Sequence, residues 1–411
     1  MHIVVIGGGA AGLMCTASIL EHNPEATVTL IERNDGLGKK VIISGGGRCN
    51  VTTGFHDVKE VLTKYPRGGK FLTSAMYNFP PDKVYAWFEE HGVPLKTQTD
   101  MRVFPKSDDG HDIVRVFEHL FEKSHARLLL KTSVTHIEKI SDTFQVFLKD
   151  KLEPIQADRV VLTTGGQAYR HTGSKGDGYA FALSLGHTIT PLAPSLNAFF
   201  TLQTWPAQIS GLSFEHARIT ARREGSPHFT GPFLFTHKGV SGPAVFALSS
   251  LVAFETYNKE MPLEIEIDLF PDQTIDRVVE DITKIATEHH NKQFENVLGM
   301  VLPKSLASIV IQELGISVSK RANQIAKKDM RRCAEWVKHV PLSVVQRGAG
   351  DEFVTAGGIE LSEVDPRSME SLICPGLYFA GEILNVDGFT GGFNLQASWA
   401  TGQLAGESIL G

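Results

Sequence analysis

Cysteine is scarce in this chain: Cys15, Cys49, Cys333 and Cys374 are the four among 411 residues, far apart and never in a C-x-x-C pair. That scarcity excludes a disulfide framework, a zinc ribbon and a redox-active dithiol, and reducing cytoplasm is the expected compartment. Long hydrophobic runs are missing too. The greasiest stretch, Ala244 to Phe254, is too short to cross a bilayer, and the apolar start Ile3 to Ile6 runs into glycines instead of a charged leader. Neither export nor a membrane anchor is expected. Positive charge is not in excess: 40 Lys and Arg against 46 Asp and Glu give a net charge of −6. A wholly basic nucleic-acid coat is thereby excluded, while local patches stay open. Tandem repeats and low-complexity tracts are absent as well.

What is present is glycine, placed after apolar runs. Ile3 to Ile6 has the unbroken β-branched character of a parallel strand buried on both faces, Ala10 to Leu20 reads as a helix, and Val28 to Ile31 as a second strand. Between the first strand and the helix lies Gly7-x-Gly9-x-x-Gly12. Its glycines permit a tight turn, close approach of backbone to a pyrophosphate, and close packing of helix on strand. Glu32, 20 residues after Gly12, closes the unit with an acid suited to ribose hydroxyls. The alternative, a glycine turn without a ligand, does not account for the acid. This unit alone does not separate NAD from FAD.

Three further segments favour FAD. Ser44-Gly45-Gly46-Gly47-Arg48-Cys49-Asn50 offers a glycine loop and a cation that can wrap phosphates and the near edge of a flavin. Thr163-Thr164-Gly165-Gly166 ends one strand, and Gly381-Glu382 with Asp387, Gly388, Gly391, Gly392, Phe393, Asn394 and Leu395 follows another, Gly376 to Ala380. Ligands collect at the carboxyl ends of strands in open α/β sheets, so these loops can converge on one long cofactor. Asp387 suits ribityl hydroxyls or the flavin edge. The amides of Gly392 to Leu395 suit the flavin pyrimidine, with a helix expected from Ser398 to Ile409. Ala10, Ala11, Arg33, Lys39 and Val134 complete the candidate cofactor contacts.

Elsewhere, Lys83 to His91 and Ile113 to Ser124 read as helices around a turn-rich stretch, Met101 to Gly110. Leu128 to Leu130, Val134 to Ile137, Phe144 to Leu148 and Arg159 to Thr163 read as an antiparallel excursion returning to the parallel sheet, followed by a glycine-rich passage from Gly165 to Gly186. Texture changes near Pro191. The expected fold class is α/β: a discontinuous Rossmann-like FAD-binding domain (1–190 and 346–411) interrupted by a substrate-side insert (191–345) with a helical part at about 273–338.

The chain resembles the BaiN/RdsA family of FAD-dependent oxidoreductases, also called YhiN-like flavoproteins, over essentially its whole length. Gly7 to Gly12, SGGGRCN at 44–50, RVFP at 102–105, Thr164 to Gly166, THKGVSGP at 236–243, TAGG at 355–358 and Gly376 to Gln396 carry the resemblance. It implies an insert containing a small barrel-like β region, and NAD(P)H-linked reduction of carbon–carbon double bonds in dehydro bile acids or in ribosomal RNA uridine. Members usually have Asp where Asn385 stands and Tyr where Phe393 stands.

No second Gly-x-Gly-x-x-Gly occurs between Pro191 and Gln346, so NAD(P)H is expected only as a transient reductant. Candidate proton donors are Cys49, His237 and Tyr169; a packed thiol and a hydrogen-bonded structural histidine are the plainer readings of the first two. Lys320, Arg321, Lys327, Lys328, Arg331 and Arg332 form a basic run that suits RNA phosphates or, equally, a solvated helix face. Other classes stay in view. Gly239-Val240-Ser241-Gly242-Pro243 superficially looks like a hydrolase nucleophile turn, without strand-turn-helix context, and a flavin-binding protein without catalysis is a remote alternative.

Overall fold

Strands that are apolar on both faces need helices above and below them, and the first apolar runs obey that demand. In the computed structural model, which describes residues 1–348 and 353–411, β1 (His2–Ile6) pairs in parallel with β2 (Thr27–Ile31). On its other side β1 pairs with β4 (Arg159–Leu162); β3 (Arg127–Leu129) lies beyond β2 and β5 (Leu377–Phe379) beyond β4. The order β5-β4-β1-β2-β3 gathers five carboxyl ends along one edge. The helix Ala10–His22 is buried over most of its length, and its Ser18 hydroxyl donates to the Gln403 carbonyl of the C-terminal helix Phe393–Ser408 at 3.0 Å.

The chain forms two compact units, Met1–Ser195 with Glu352–Gly411, and Leu196–Asp351. Residues 349–352, within the expected return to the first domain, lie outside the described residues. The second unit holds a closed barrel of six antiparallel strands, in the order Phe199–Thr201, Gly239–Ser241, His228–Thr236, Ser213–Ala221, Leu263–Asp268 and Val340–Arg347. Period-two alternation builds it: Leu263, Ile265 and Ile267 are buried while Glu264, Glu266 and Asp268 are half-buried. Helices Ile275–Glu288, Lys304–Glu313 and Lys327–Lys338 turn apolar stripes into the same core. Among the described residues no helix is long and apolar enough to cross a membrane.

Several local expectations need correction. The segment expected at Leu128 to Leu130 is the parallel edge strand β3, not part of the antiparallel excursion. Arg102–Pro105, inside the stretch read as turns, is the middle strand of a small sheet because Val103 and Phe104 are buried there. The passage from Gly165 to Gly186 contains a helix, Asp177–Ser184. The C-terminal helix begins at Phe393, five residues before Ser398, so Gly392 is its N-cap and Phe393, Asn394 and Leu395 form its first turn.

A buried polar network fastens residues 363–374 to the segment after helix Asp177–Ser184. His187 Nδ1 lies 3.1 Å from Glu363 Oε2 and Nε2 lies 2.8 Å from Ser371 Oγ. Burial of the imidazole holds its pKa below the ordinary value. Against its own desolvation, hydrogen bonds from Thr188 and the imidazole hold the Glu363 carboxyl below its ordinary value as well. The native imidazole binds a proton less tightly than the unfolded one, so the unfolded chain gains protons first as pH falls below about 6.5. Stability therefore declines through that window, and again below about 4.3 as Glu363 is protonated. Urea midpoints measured from about pH 8 to pH 4 check this against His187→Gln. The substitution is expected to flatten the upper part of the decline, and equal slopes in the two proteins would refute the assignment.

Candidate dinucleotide-binding site

Immediately after β1 the chain turns, with the Gly7 N–H donating to the Ile31 carbonyl at 2.9 Å. The following helix starts at Gly9 with no side-chain cap and no acid in its first turn. Its leading N–H groups and the positive end of its dipole are thus left to an anion. The glycines divide into two kinds. A Cβ on Gly12 would stand 1.9 Å from the Gly7 carbonyl oxygen, whereas a Cβ on Gly9 would meet none of the described residues within 4 Å. Packing within the protein demands the first glycine; at the second, the free space beside the helix start leaves room for a ligand.

Glu32 closes this cradle. Its Oε2 accepts from the Gly8 N–H at 2.8 Å, and Oε1 accepts from the backbone and side chain of Asn34 at 2.8 and 2.7 Å. Arg33 pairs with Asp177 at 2.6 Å and Lys39 with Asp35 at 2.7 Å, so both cations have protein partners. The Thr132 N–H donates to the Glu32 carbonyl, which brings the start of strand Val134–Ile140 beside this end of β2.

Loops after β4 and β5 meet through Glu382, a candidate from the sequence, together with Lys40 and Thr355, which the sequence did not mark as site residues. Glu382 accepts from Lys40 Nζ at 2.5 Å and from the Thr355 N–H at 2.9 Å, while the Thr355 hydroxyl accepts from the N–H groups of Gln167 and Ala168 at 2.7 and 3.2 Å. Thr164, Gly165, Gly166, Gly381 and Glu382 are thereby brought together. Two polar atoms here, Thr164 Oγ1 and Asn385 Oδ1, are buried with no hydrogen-bond partner among the described residues. Such atoms are rare unless a ligand or water completes them, which fits a bound dinucleotide.

Other candidates are placed differently from expectation. Ser44 to Gly47 form a short 3-10 turn, but the Arg48 guanidinium stacks 3.9 Å from the Phe104 ring centroid and lies 3.7 Å from Asp108. The expected phosphate cation is thus held on the protein's own aromatic ring. Asp387 is fully buried, with both carboxylate oxygens engaged by Arg67, which sequence reasoning missed. The Phe393 ring is also buried, 6.2 Å from the centroids of Phe55 and Tyr65, and the Asn394 side chain clamps Gly388 through its N–H and carbonyl. What this helix start still presents are the backbone amides of its first turn.

The three proton-donor candidates separate clearly. Cys49 is 0 % exposed, and burial pushes its thiol up to about 12 against a hydrogen bond from Ser44, so it has no path to a substrate in this conformation. His237 stands exposed in the turn between two barrel strands of the second unit. Tyr169 is half-buried on the loop that leaves β4, at φ 54°, where a non-glycine residue is strained.

Neither Ser241 nor Ser371 has the geometry of a hydrolase nucleophile among the described residues. Ser241 does end a strand one residue short of the turn into helix Pro243–Leu251, contrary to expectation, but among the described residues no histidine or carboxylate is hydrogen-bonded to it. Ser371 has a histidine and a carboxylate in line, yet its oxygen already accepts from the N–H groups of Ile373 and Cys374 at 3.1 and 2.7 Å and is buried. It is a structural turn. In the basic run, Arg331 pairs with Asp276 and Glu335, and Arg332 with Asp329, while Lys320, Arg321, Lys327 and Lys328 are exposed and have no ion-pair partner among the described residues.

The family described as HI0933-like protein Rossmann domain matches residues 1–408. A 3-dehydro-bile acid delta(4,6)-reductase of Clostridium scindens is 28% identical over 99% of this chain and 98% of its own. A ribosomal RNA dihydrouridine synthase of Haemophilus influenzae is also 28% identical, over 99% of this chain and 98% of its own. Among solved structures, the open conformation of a flavocytochrome c3 fumarate reductase superposes with a TM-score of 0.51 at 16% identity, covering 99% of this chain and 78% of that one. At that identity the likeness concerns the fold alone.

Proposed function

The chain belongs to the HI0933-like protein Rossmann-domain family, and from that premise we propose that it is an FAD-dependent oxidoreductase acting on a conjugated carbon–carbon double bond, with NAD(P)H as a transient reductant. Gly9 is the observation that carries the cofactor: its open Cβ direction beside an uncapped helix start is what a pyrophosphate requires. Support for the reaction comes from the names of the two relatives. A 3-dehydro-delta(4,6) steroid and uridine both place an alkene in conjugation with a carbonyl, and both products are the saturated forms.

The chemistry that bound FAD supplies is two-electron transfer. This chain's residues do the rest. Gly7 to Gly12 would hold the pyrophosphate and Glu32 the ribose, and the amides of Phe393 to Leu395 would favour the negative charge of the reduced cofactor. Hydride arrives at one alkene carbon, so a proton must reach the other, and Tyr169 Oη is the donor we assign.

A second reading, RNA as the substrate, draws on the four exposed cations Lys320, Arg321, Lys327 and Lys328, which no acid among the described residues pairs with. One experiment decides between substrates: anaerobic reduction by NADPH, followed by reoxidation with a dienone steroid or a uridine-containing ribosomal RNA. Reoxidation well above buffer is expected with one of them, and Tyr169→Phe is expected to slow it by about 10²-fold or more, the usual weight of a general acid. Reoxidation by neither, or only by oxygen, rejects the proposed reaction.

A further inference from the structure

Residues 55–70 carry no recognisable motif, yet they brace the C-terminal glycine loop along its length. The Phe389 N–H donates to the Lys64 carbonyl at 2.9 Å, the Tyr65 phenol donates to the Phe393 carbonyl at 2.7 Å, and the Phe55 ring packs on that of Phe393. Between these contacts Arg67 and Asp387 form an antiparallel backbone bridge, and Arg67 Nε and Nη2 each take one carboxylate oxygen. The Ser195 hydroxyl adds a hydrogen bond to Oδ2 at 3.1 Å. The carboxylate side chain is 0% exposed and the guanidinium side chain 16%.

An ion pair withdrawn from water is a weak source of stability, because apolar groups of the same shape hold a fold at least as well. What a two-point guanidinium–carboxylate contact contributes is orientation, together with a defined local charge. The loop it orients runs from Asn385 through Gly392 into the helix start that, on the proposed FAD reading on which this inference rests, faces the flavin. We propose that Arg67 is a positioning residue for the cofactor: with Asp387 it forms a charge-balanced pin that sets the 385–394 loop and cancels the carboxylate's field beside the flavin.

The pin makes a signed prediction. At a pH high enough to keep the Asp387 carboxylate ionised without the guanidinium, Arg67→Met changes the local charge by minus one, and Asp387→Asn changes it by plus one. The reduced cofactor is more negative than the oxidised one, so the first variant should lower the flavin midpoint potential and the second should raise it. The double variant, and Arg67→Lys alone, restore the balance and should return the potential to the wild-type value.

The measurement is dye-equilibrated reduction of each purified holoprotein, with melting curves to verify folding. A wild-type protein that binds no flavin refutes the FAD reading and this inference with it. With flavin bound, shifts of the same sign in the two single variants, or no shift in either, overturn the pin while leaving the FAD reading intact. Should Arg67→Met fail to fold, Asp387→Asn and Arg67→Lys decide alone: a raised potential in the first and not the second supports the pin, and equal potentials overturn it.

Discussion

Gly9→Val is expected to leave the protein folded and colourless, whereas Gly12→Ala, a smaller change, is expected to impair folding itself. The two positions lie three residues apart in one motif and look interchangeable by composition. Their surroundings are opposite: open space around an added Cβ at Gly9, and a backbone carbonyl at 1.9 Å at Gly12. That carbonyl belongs to Gly7, whose N–H is bonded to Ile31 at the end of β2, so it is not free to give way. Overpacking against such a wall costs about 1–3 kcal/mol and sometimes more, a large part of the roughly 5–15 kcal/mol that holds a domain. At Gly9 the added isopropyl group enters the space assigned to the pyrophosphate. A hundredfold loss of FAD affinity, about 2.7 kcal/mol, is a conservative expectation. FAD titration followed by visible absorbance, alongside melting curves for each variant, checks both halves. Gly9→Val protein that takes up FAD with wild-type affinity would remove the pyrophosphate from this turn.

The same contrast explains which parts of the site were legible in the sequence. Strand, glycine turn, helix and terminal acid lie within residues 3–32, and each is specified by neighbours close in the chain, so periodicity and spacing suffice. Lys40 and Glu382 are 342 residues apart, and Arg67 and Asp387 are 320 apart. No local pattern announces that such residues will meet; only the return of β5 beside β4 brings them together. Phe393 to Leu395 precede the helix expected from the sequence, but a left-handed glycine such as Gly392, at φ 91°, opens the helix already at Phe393. Arg48 illustrates the reverse failure. A cation in a glycine loop resembles a phosphate ligand until Phe104, on the distant strand Arg102–Pro105, and Asp108, in the turn after it, are seen to hold it.

Trp399→Ala is expected to produce the largest stability loss of any single substitution considered. Trp399 is wholly buried in the C-terminal helix, stacked on Phe117 at 5.8 Å, edge-on to Phe88 at 5.5 Å, and its indole N–H donates to the Val51 carbonyl at 2.9 Å. Removing a buried tryptophan costs about 3–5 kcal/mol, and leaving the Val51 carbonyl without its donor adds about 1 kcal/mol or more. Melting should fall by on the order of 10 °C for a unit of this size. Trp399→Phe keeps most of the packing and isolates the hydrogen bond, so a loss of about 1–2 kcal/mol is expected there. The cofactor gives this experiment a functional arm, because the same helix presents its first-turn amides beyond Gly392. FAD at a hundredfold excess over its Kd stabilises a binding-competent native state by about 2.7 kcal/mol. If the cavity only loosens the core, FAD at that ratio to each protein's own Kd should raise the melting temperature of wild type and Trp399→Ala by similar amounts. If the cavity also releases the helix start, the variant's Kd itself must rise, and an unchanged Kd would separate the anchoring role of Trp399 from the presentation of those amides.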